Sequence, residues 1–418
     1  MPTTMITRLL GVARFPKPDF TSGYEYPDIV HGMPWETFWS WLDVALLVAM
    51  MSLVAWAVHR RRSRRAVLAV SVVSVAYFGF FRTGCVCSIG SIQNVVLALA
   101  DSSYHLPLAV LLLFVLPLLF ALFFGRVFCA GVCPMGALQE LVNVRNFQLS
   151  RAVAAALGFI PWIYLGFAIL YAATRSQFII CRFDPFVPIF RLGGDVGMVA
   201  FGVALLALSV VVGRPFCRFL CPYGALLGVT ASLAARRVEA TAKPCINCTL
   251  CHNACPVDAI RQPYANRPGE SRLTGVRRVM AYLAVLPLLT LATGWLLASQ
   301  SDTLSIAHRD VYLYTLLQQP QAEEGDAAQP AEVEAFHEMG RSMADLEASV
   351  VSVRASFHRW AWVAGALMGF VLGCRLVRLS VKRTRKTYEI EPMACVACGK
   401  CFDYCPQNIA VNHEQKHV

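Results

Sequence analysis

The sequence predicts an all-α multi-span membrane protein. It is built around an internal two-fold repeat and carries a small cytoplasmic module assembled from two separated cysteine runs. Three observations predict this. Of 418 residues, 57% are hydrophobic and only 15% charged, against about 25% charged in soluble domains, and the mean hydropathy is +0.54. A 14-residue segment recurs later in the chain. Sixteen cysteines are present, with spacings foreign to a secreted disulfide framework. The composition excludes a disordered chain, a collagen-like chain and a single soluble domain. The net charge of +11 is distributed as the positive-inside rule requires, so no nucleic-acid partner is expected.

Apolar runs predict seven spans at about 38–58, 66–81, 108–124, 153–173, 197–213, 280–298 and 360–378, each close to the ~20 residues that cross a bilayer. The segment before them, 1–37, has no apolar stretch of the kind a cleavable signal needs. The loop His59-Arg60-Arg61-Arg62-Ser63-Arg64-Arg65 holds five arginines in seven residues and marks the cytoplasmic side. It puts the N-terminus outside and the C-terminus in the cytoplasm of a bacterial inner membrane. Trp35, Trp39 and Trp41 then form an outer aromatic belt. The loop 299–358, with ten acidic and three basic residues, falls outside. The tail with Arg375, Arg378, Lys382, Arg383, Arg385 and Lys386 falls inside. In the outer loop, Val333, Phe336, Met343, Leu346 and Val350 recur at helical spacing and predict a packed amphipathic helix. Residues 85–100 are apolar but short, as in a re-entrant or interfacial segment. Asp43 lies near the outer end of the first span, where water can reach it.

The repeat has a period of 88 residues. GRVFCAGVCPMGAL at 125–138 and GRPFCRFLCPYGAL at 213–226 agree at nine of fourteen positions. Each copy follows a span running inward, and each is preceded by an outer cysteine site. Parallel repeats of this kind relate by an axis along the membrane normal, which would turn the two cysteine sites toward one centre.

Two cysteine runs carry the most specific signal. Cys245, Cys248, Cys251 and Cys255-Pro256 follow the C-x2-C-x2-C-x3-C-P pattern of bacterial ferredoxins, and Cys395, Cys398, Cys401 and Cys405-Pro406 repeat it. A four-iron cluster needs four converging thiolates, and one loop with two-residue spacers wraps three of its corners. The fourth cysteine of each run serves the other cluster. One 4Fe-4S cluster is therefore expected on Cys245, Cys248, Cys251 and Cys405, and a second on Cys395, Cys398, Cys401 and Cys255. Zinc rarely uses this spacing. The C-x-x-C-H of Cys248–His252 is absorbed by the run and is not a haem attachment site. This bacterial-ferredoxin-like module comprises 236–279 and 379–418, flanking a two-span hairpin over 280–378. The membrane core comprises 38–235.

Two further groups of cysteines are candidates for a membrane redox relay. Cys129, Cys133, Cys217 and Cys221 at the inner span ends could hold another iron–sulfur cluster, or could be buried cysteines in Cys-Pro helix stops. Arg126, Arg214 and Arg218 beside them either offset thiolate charge or anchor the spans. Cys85, Cys87 and Cys181 on the outer side could bind a cluster or metal, form a disulfide, or be inert. The hydrocarbon core is about 30 Å thick, too far for inner clusters to reduce an outer acceptor directly. The nine histidines lie outside the spans or at their ends, so paired intramembrane haem ligands are not expected. No dinucleotide or P-loop pattern is present.

GRVFCAGVCPMGALQE and GRPFCRFLCPYGALLG resemble the paired CxxxCP signature of membrane polyferredoxins, the nitrous-oxide reductase regulator and periplasmic nitrate reductase quinol-dehydrogenase subunit types. The Phe-Asp-Pro-Phe after Arg182 is similar to that group too. The resemblance spans roughly 66–260 and the C-terminal run. It implies electron transfer between a cytoplasmic or quinol donor and an extracytoplasmic redox partner. The regulator type carries an outer flavin domain. Here about 37 residues precede the first span and no flavin-attachment motif appears, so a flavoprotein partner chain is expected. The ferredoxin runs are farther apart than in the nitrate reductase subunit, and Cys85 and Cys87 have no counterpart in these groups. The expected function is transmembrane electron transfer. A quinol dehydrogenase and an iron–sulfur assembly or regulatory protein are the alternatives.

Overall fold

A computed structural model describes residues 34–84, 87–240, 245–263, 271–318, 331–381 and 387–408. Cys85, Lys382, Arg383, Arg385 and Lys386 lie outside the described residues, and nothing is described of the Trp35 side chain.

The described residues are mostly helical. Five helical elements are long and apolar enough to cross a membrane: Phe38–Arg61, Arg64–Phe81, Ala152–Ala173, Arg272–Ala298 and Met343–Ser380. The first begins as helix α1 (Pro34–Trp56) and the second as α2 (Arg64–Ser74), each continued by a π-helical turn. The short α3 (Ser91–Ala100) cannot span. Two of the seven expected spans are shorter helices, α4 (Leu108–Phe124) and α7 (Val196–Val211), of 17 and 16 residues. At 1.5 Å per residue they reach about 24–26 Å, so five of the seven expected spans have helices of spanning length among the described residues. Between them runs α6 (Ile160–Ala173).

The Cys-Pro pairs of the repeat open helices, and Cys133 also ends the π-helical turn before it. Cys133 and Cys221 are the N-caps of α5 (Pro134–Leu141) and α8 (Pro222–Ser232), with proline at the first helical position. Proline is well suited there, since it lacks only an amide that the helix would leave unpaired.

Helix α9 (Arg272–Ala298) pairs with a long final helix, α12 (Met343–Ser380). Gly365, Gly369 and Gly373 recur every fourth residue on α12, so the backbones meet. A methyl group on Gly369 would fall 2.5 Å from the Leu289 carbonyl oxygen and overlap Thr293 Oγ1. Thr293 Oγ1 also donates to the Gly365 carbonyl at 2.8 Å. Small residues with a bonding hydroxyl are how helices associate where no hydrophobic drive exists.

The structure revises the expected hairpin. Helix α9 starts at Arg272 and α12 at Met343, well before residues 280 and 360. The single amphipathic helix expected over 333–350 is two: α11 (Ala331–Glu338) ends near Gly340, whose φ is +61°, and Ser342 caps α12. Phe336, Leu346 and Val350 are buried against α10 (Arg309–Leu317) and Val333 is buried too, but Met343 is exposed. At about 57 Å, α12 is longer than any bilayer core, so its first turns belong to this small lobe. Nor is the chain strictly all-α. Strand β1 (Ile260–Arg261) pairs antiparallel with β2 (Glu389–Ile390), Ile260 opposite Ile390, and ties the two cysteine runs into one unit.

Candidate iron–sulfur centres

Two buried cavities are each lined by four cysteines. The first is lined by Cys129, Cys133, Cys217 and Cys221, with Arg126, Phe128, Tyr223 and Ile89. All four cysteines are at most 8% exposed. Helix α4 ends at Gly125, whose φ of +74° a side chain would resist, and the π-helical turn Phe128–Val132 then carries Cys129 inward. The second copy makes the same approach through Pro215–Phe219.

The second cavity is lined by Cys255, Cys395, Cys398 and Cys401, with Pro256 and Val396. These are the three leading cysteines of one run and the last cysteine of the other. The remaining four also come together. Burial pushes the Cys251 thiol up to about 11, and the nearby thiols Cys405, Cys245 and Cys248 push it further that way. Burial likewise raises Cys401 well above its usual range, helped by Cys395, Cys398 and Cys255. Such thiols stay protonated until a metal takes them, and ligation must release the protons.

Among the described residues, no group of three or more His, Cys, Asp or Glu side chains is poised on a single metal ion. The cysteines instead surround cavities, which suits a polynuclear cluster with thiolates at its corners.

The module is fastened to the membrane core by polar contacts. Arg218 meets Asp258 at 2.7 Å. Asn146 Nδ2 donates to the Ala254 carbonyl at 2.8 Å, and Gln148 Nε2 to the His252 carbonyl at 3.2 Å. Lys400 Nζ donates to Asn143 and Asn146 at 3.0 and 3.3 Å. Within the module, Glu391 accepts from Arg261 and Arg378. The arginine-rich loop lies at this same end, where Arg64 meets Glu140 at 3.1 Å.

The motif arginines are neither simple anchors nor surface charges. Arg214 is fully buried. Its Nε donates to Glu140 at 3.0 Å, its Nη2 to the Ala130 carbonyl at 2.9 Å, and its Nη1 to the Cys129 carbonyl. Its charge also reaches both cavities, through Cys217 of the first and Cys398 of the second. Arg126, at the matching position of the first copy, donates through Nη2 to Cys129 Sγ at 3.6 Å and through Nη1 to the Met393 carbonyl at 3.2 Å.

The copies cross. A methyl group on Gly136 would sit 3.4 Å from Arg214 Nη1, and one on Gly224 would sit 3.1 Å from Arg126 Nη2.

Sequence reading overlooked Gln139 and Glu140. Gln139 is fully buried, accepts from the Phe216 amide at 3.1 Å, and directs Nε2 at Cys217 Sγ at 3.4 Å. The signal was there: Gln139-Glu140 are polar where the second copy has Leu227-Gly228.

Cys87 and Cys181 are only partly gathered, and their neighbour Ile89 lines the first cavity. Gly90 donates its amide to Cys87 Sγ at 3.4 Å, and a methyl group on Gly90 would lie 3.1 Å from Cys181 Sγ. Cys181 is exposed and Cys87 half-buried. Cys87 is within electrostatic range of Cys133 in the first cavity. Asp184 turns inward to accept from the Phe186 amide at 2.9 Å. Asp43 is not hydrated as expected. It is 2% exposed, ion-paired with Arg82 at 2.7 Å and bonded to Tyr77.

A 4Fe-4S binding domain model matches twice, over 106–151 and 195–240, one match on each CxxxCP segment. The chain is 32% identical to the regulatory protein NosR of Pseudomonas aeruginosa over 243 residues, covering 52% of this chain and 33% of that one. It is 31% identical to the ferredoxin-type protein NapH of Escherichia coli over 185 residues, covering 41% and 63%. It is 33% identical to the protein NirI of Paracoccus denitrificans over 156 residues, covering 33% and 22%. The chain thus spans between about a fifth and two thirds of these relatives' lengths. No solved structure matches. With paired CxxxCP segments on one buried cavity and a 4Fe-4S domain match on each, the chain is similar to the membrane proteins NosR and NapH over its CxxxCP core.

Proposed function

We propose that the chain passes single electrons through a bacterial inner membrane, along three iron–sulfur centres. Cys245, Cys248, Cys251 and Cys405 would hold one 4Fe-4S cluster, and Cys395, Cys398, Cys401 and Cys255 the second, in a ferredoxin-like cytoplasmic module. Cys129, Cys133, Cys217 and Cys221 would hold a third at the membrane boundary. Bound there, such clusters take up and release one electron at a time. The carrying observation is the adjacency of the two four-cysteine cavities: Arg126 contacts Cys129 of one and the Met393 carbonyl, two residues before Cys395 of the other.

The protein's own residues orient and insulate this path. Burial of the first cavity keeps water from the thiols, while Gln139 and Arg126 point N–H groups at their sulfurs. The ladder from Asn146, Gln148 and Arg218 keeps the module at fixed distance. Cys87 and Cys181, with Cys85, would extend the path outward. The arginine-rich loop at the module's end supports the cytoplasmic assignment, and the crossed Arg126 and Arg214 contacts support a two-fold relation of the repeats. An extracytoplasmic redox protein, with flavin as its cofactor, fits the outer face as acceptor or donor. A cytoplasmic donor or a quinol fits the other end.

The test is iron and labile sulfide per chain in protein purified anaerobically. About 12 irons are expected for three four-iron clusters, and about 8 would leave only the ferredoxin pair. Transmembrane electron transfer that survived Cys129→Ala or Cys217→Ala would refute the relay.

A further inference from the structure

Arg126 and Arg214 occupy the same position in the two repeats, yet the structure uses them differently. Arg214 spends all three guanidinium nitrogens on protein acceptors, one of them the carboxylate of Glu140, which it shares with Arg64. Arg126 is 6% exposed. Its two ascribed acceptors are a backbone carbonyl and a thiol sulfur. Among the described residues its Nε has no acceptor at all. The side chain lines the membrane cavity. A buried guanidinium is always charged, and a buried cation without an anion is costly. The chain therefore leaves at this cavity a positive charge and a spare donor that want an anionic acceptor. Four cysteines face the same space, and a four-iron cluster on four thiolates is an anion rich in sulfur acceptors.

We propose that Arg126 is the residue that sets the reduction potential of a cluster held by Cys129, Cys133, Cys217 and Cys221. The proposal rests on the function proposed above. Arg126 acts by positioning its charge: one added electron makes the cluster more negative, and the nearby guanidinium stabilises that state. No proton is exchanged, because the guanidinium is charged in both states. Charge and hydrogen bonds at the sulfurs are established controls of such potentials. Arg214 also acts on Cys217 through its charge, but Glu140 beside it offsets part of that charge, whereas no carboxylate is paired with Arg126 among the described residues.

The experiment compares the full-length protein with Arg126→Gln and Arg126→Lys by iron content and redox titration followed by electron paramagnetic resonance. All three proteins are expected to keep the membrane cluster. In the Gln variant, the reduced-to-oxidised ratio at the wild-type midpoint should fall at least tenfold, a shift of 59 mV for one electron. The Lys variant should stay nearer the wild type, and the two ferredoxin-type clusters should move less than the membrane cluster. An unchanged midpoint in the Gln variant overturns the proposal, as does an equal shift in both variants. Loss of the cluster from both would make Arg126 a structural residue and also overturn it. A wild-type protein with only about 8 irons would overturn instead the membrane cluster on which it rests.

Discussion

Replacing Glu140 by glutamine removes one charge from the centre of the joint between membrane core and module. Glu140 is 3% exposed and accepts from Arg64 at 3.1 Å and Arg214 at 3.0 Å. Glutamine keeps nearly the same shape. It leaves Arg214, with no exposed surface, a buried cation facing only backbone carbonyls. Removing one partner of a buried pair costs about 3–5 kcal/mol. The carbonyls of Cys129 and Ala130 still solvate Arg214, which argues for the lower end. At 1.4 kcal/mol per tenfold, the local folded-to-open ratio should fall by about two powers of ten. Arg64→Gln should cost less. Its side chain is 14% exposed, and water can replace it at Glu140. Hydrogen exchange over 128–141, with the protein in detergent or nanodiscs, reads this directly. Protection in Glu140→Gln equal to wild type would refute the reasoning. So would an Arg64→Gln variant as damaged as Glu140→Gln.

Other consequences follow from the same geometry. Cys255→Ala should disturb the cluster of the other run, on Cys395, Cys398 and Cys401, more than that of its own; site-labelled Mössbauer or resonance spectra would check this. Gly369→Leu should force α9 from α12, since even a methyl group meets Thr293 and Leu289; the expected loss exceeds about 3 kcal/mol, seen as a lower melting temperature, while Val363→Leu on an exposed face should change little. In the small lobe of α10, α11 and the start of α12, burial pushes the Asp310 carboxyl up, but hydrogen bonds from Ser349 at 2.5 Å and Arg341 at 3.3 Å outweigh it and hold it below its usual range. Its stabilisation is thus present above about pH 3.9, the unfolded value, and is lost as pH falls through the lower folded one. Exchange protection at Val311 and Leu346, corrected for intrinsic rate, should hold from pH 7 to 5 and drop in stronger acid. Asp310→Asn should lack that acid transition.

Much of the site was legible because cysteine ligation leaves short, fixed spacings in the chain. Cys245 to Cys255 and Cys395 to Cys405 announce themselves, and the crossed sharing of Cys255 follows from the pattern. The spans were legible because a bilayer tolerates only long apolar runs. Their limits were less so. Hydropathy marks the apolar part of the last helix but not where the helix begins, which Gly340 and Ser342 decide. The short α4 and α7 read as spans by composition, yet at 17 and 16 residues they fall short of the length that the other five reach. Asp43 looked hydrated because its partner Arg82 lies a whole helix away in sequence.

The sequence alone determined the composition of a membrane chain, the cysteine quartets and the repeat. Each depends on local spacing or on apolar content, which a one-dimensional chain records. Only the tertiary structure decided that four cysteines 88 residues apart by pairs share one buried cavity. It alone separated the two repeat arginines, one paired with Glu140 and one bonded to a thiol and a carbonyl with no carboxylate beside it. The physical reason is that a buried charge is defined by what surrounds it, and its surroundings here come from four distant segments of the chain.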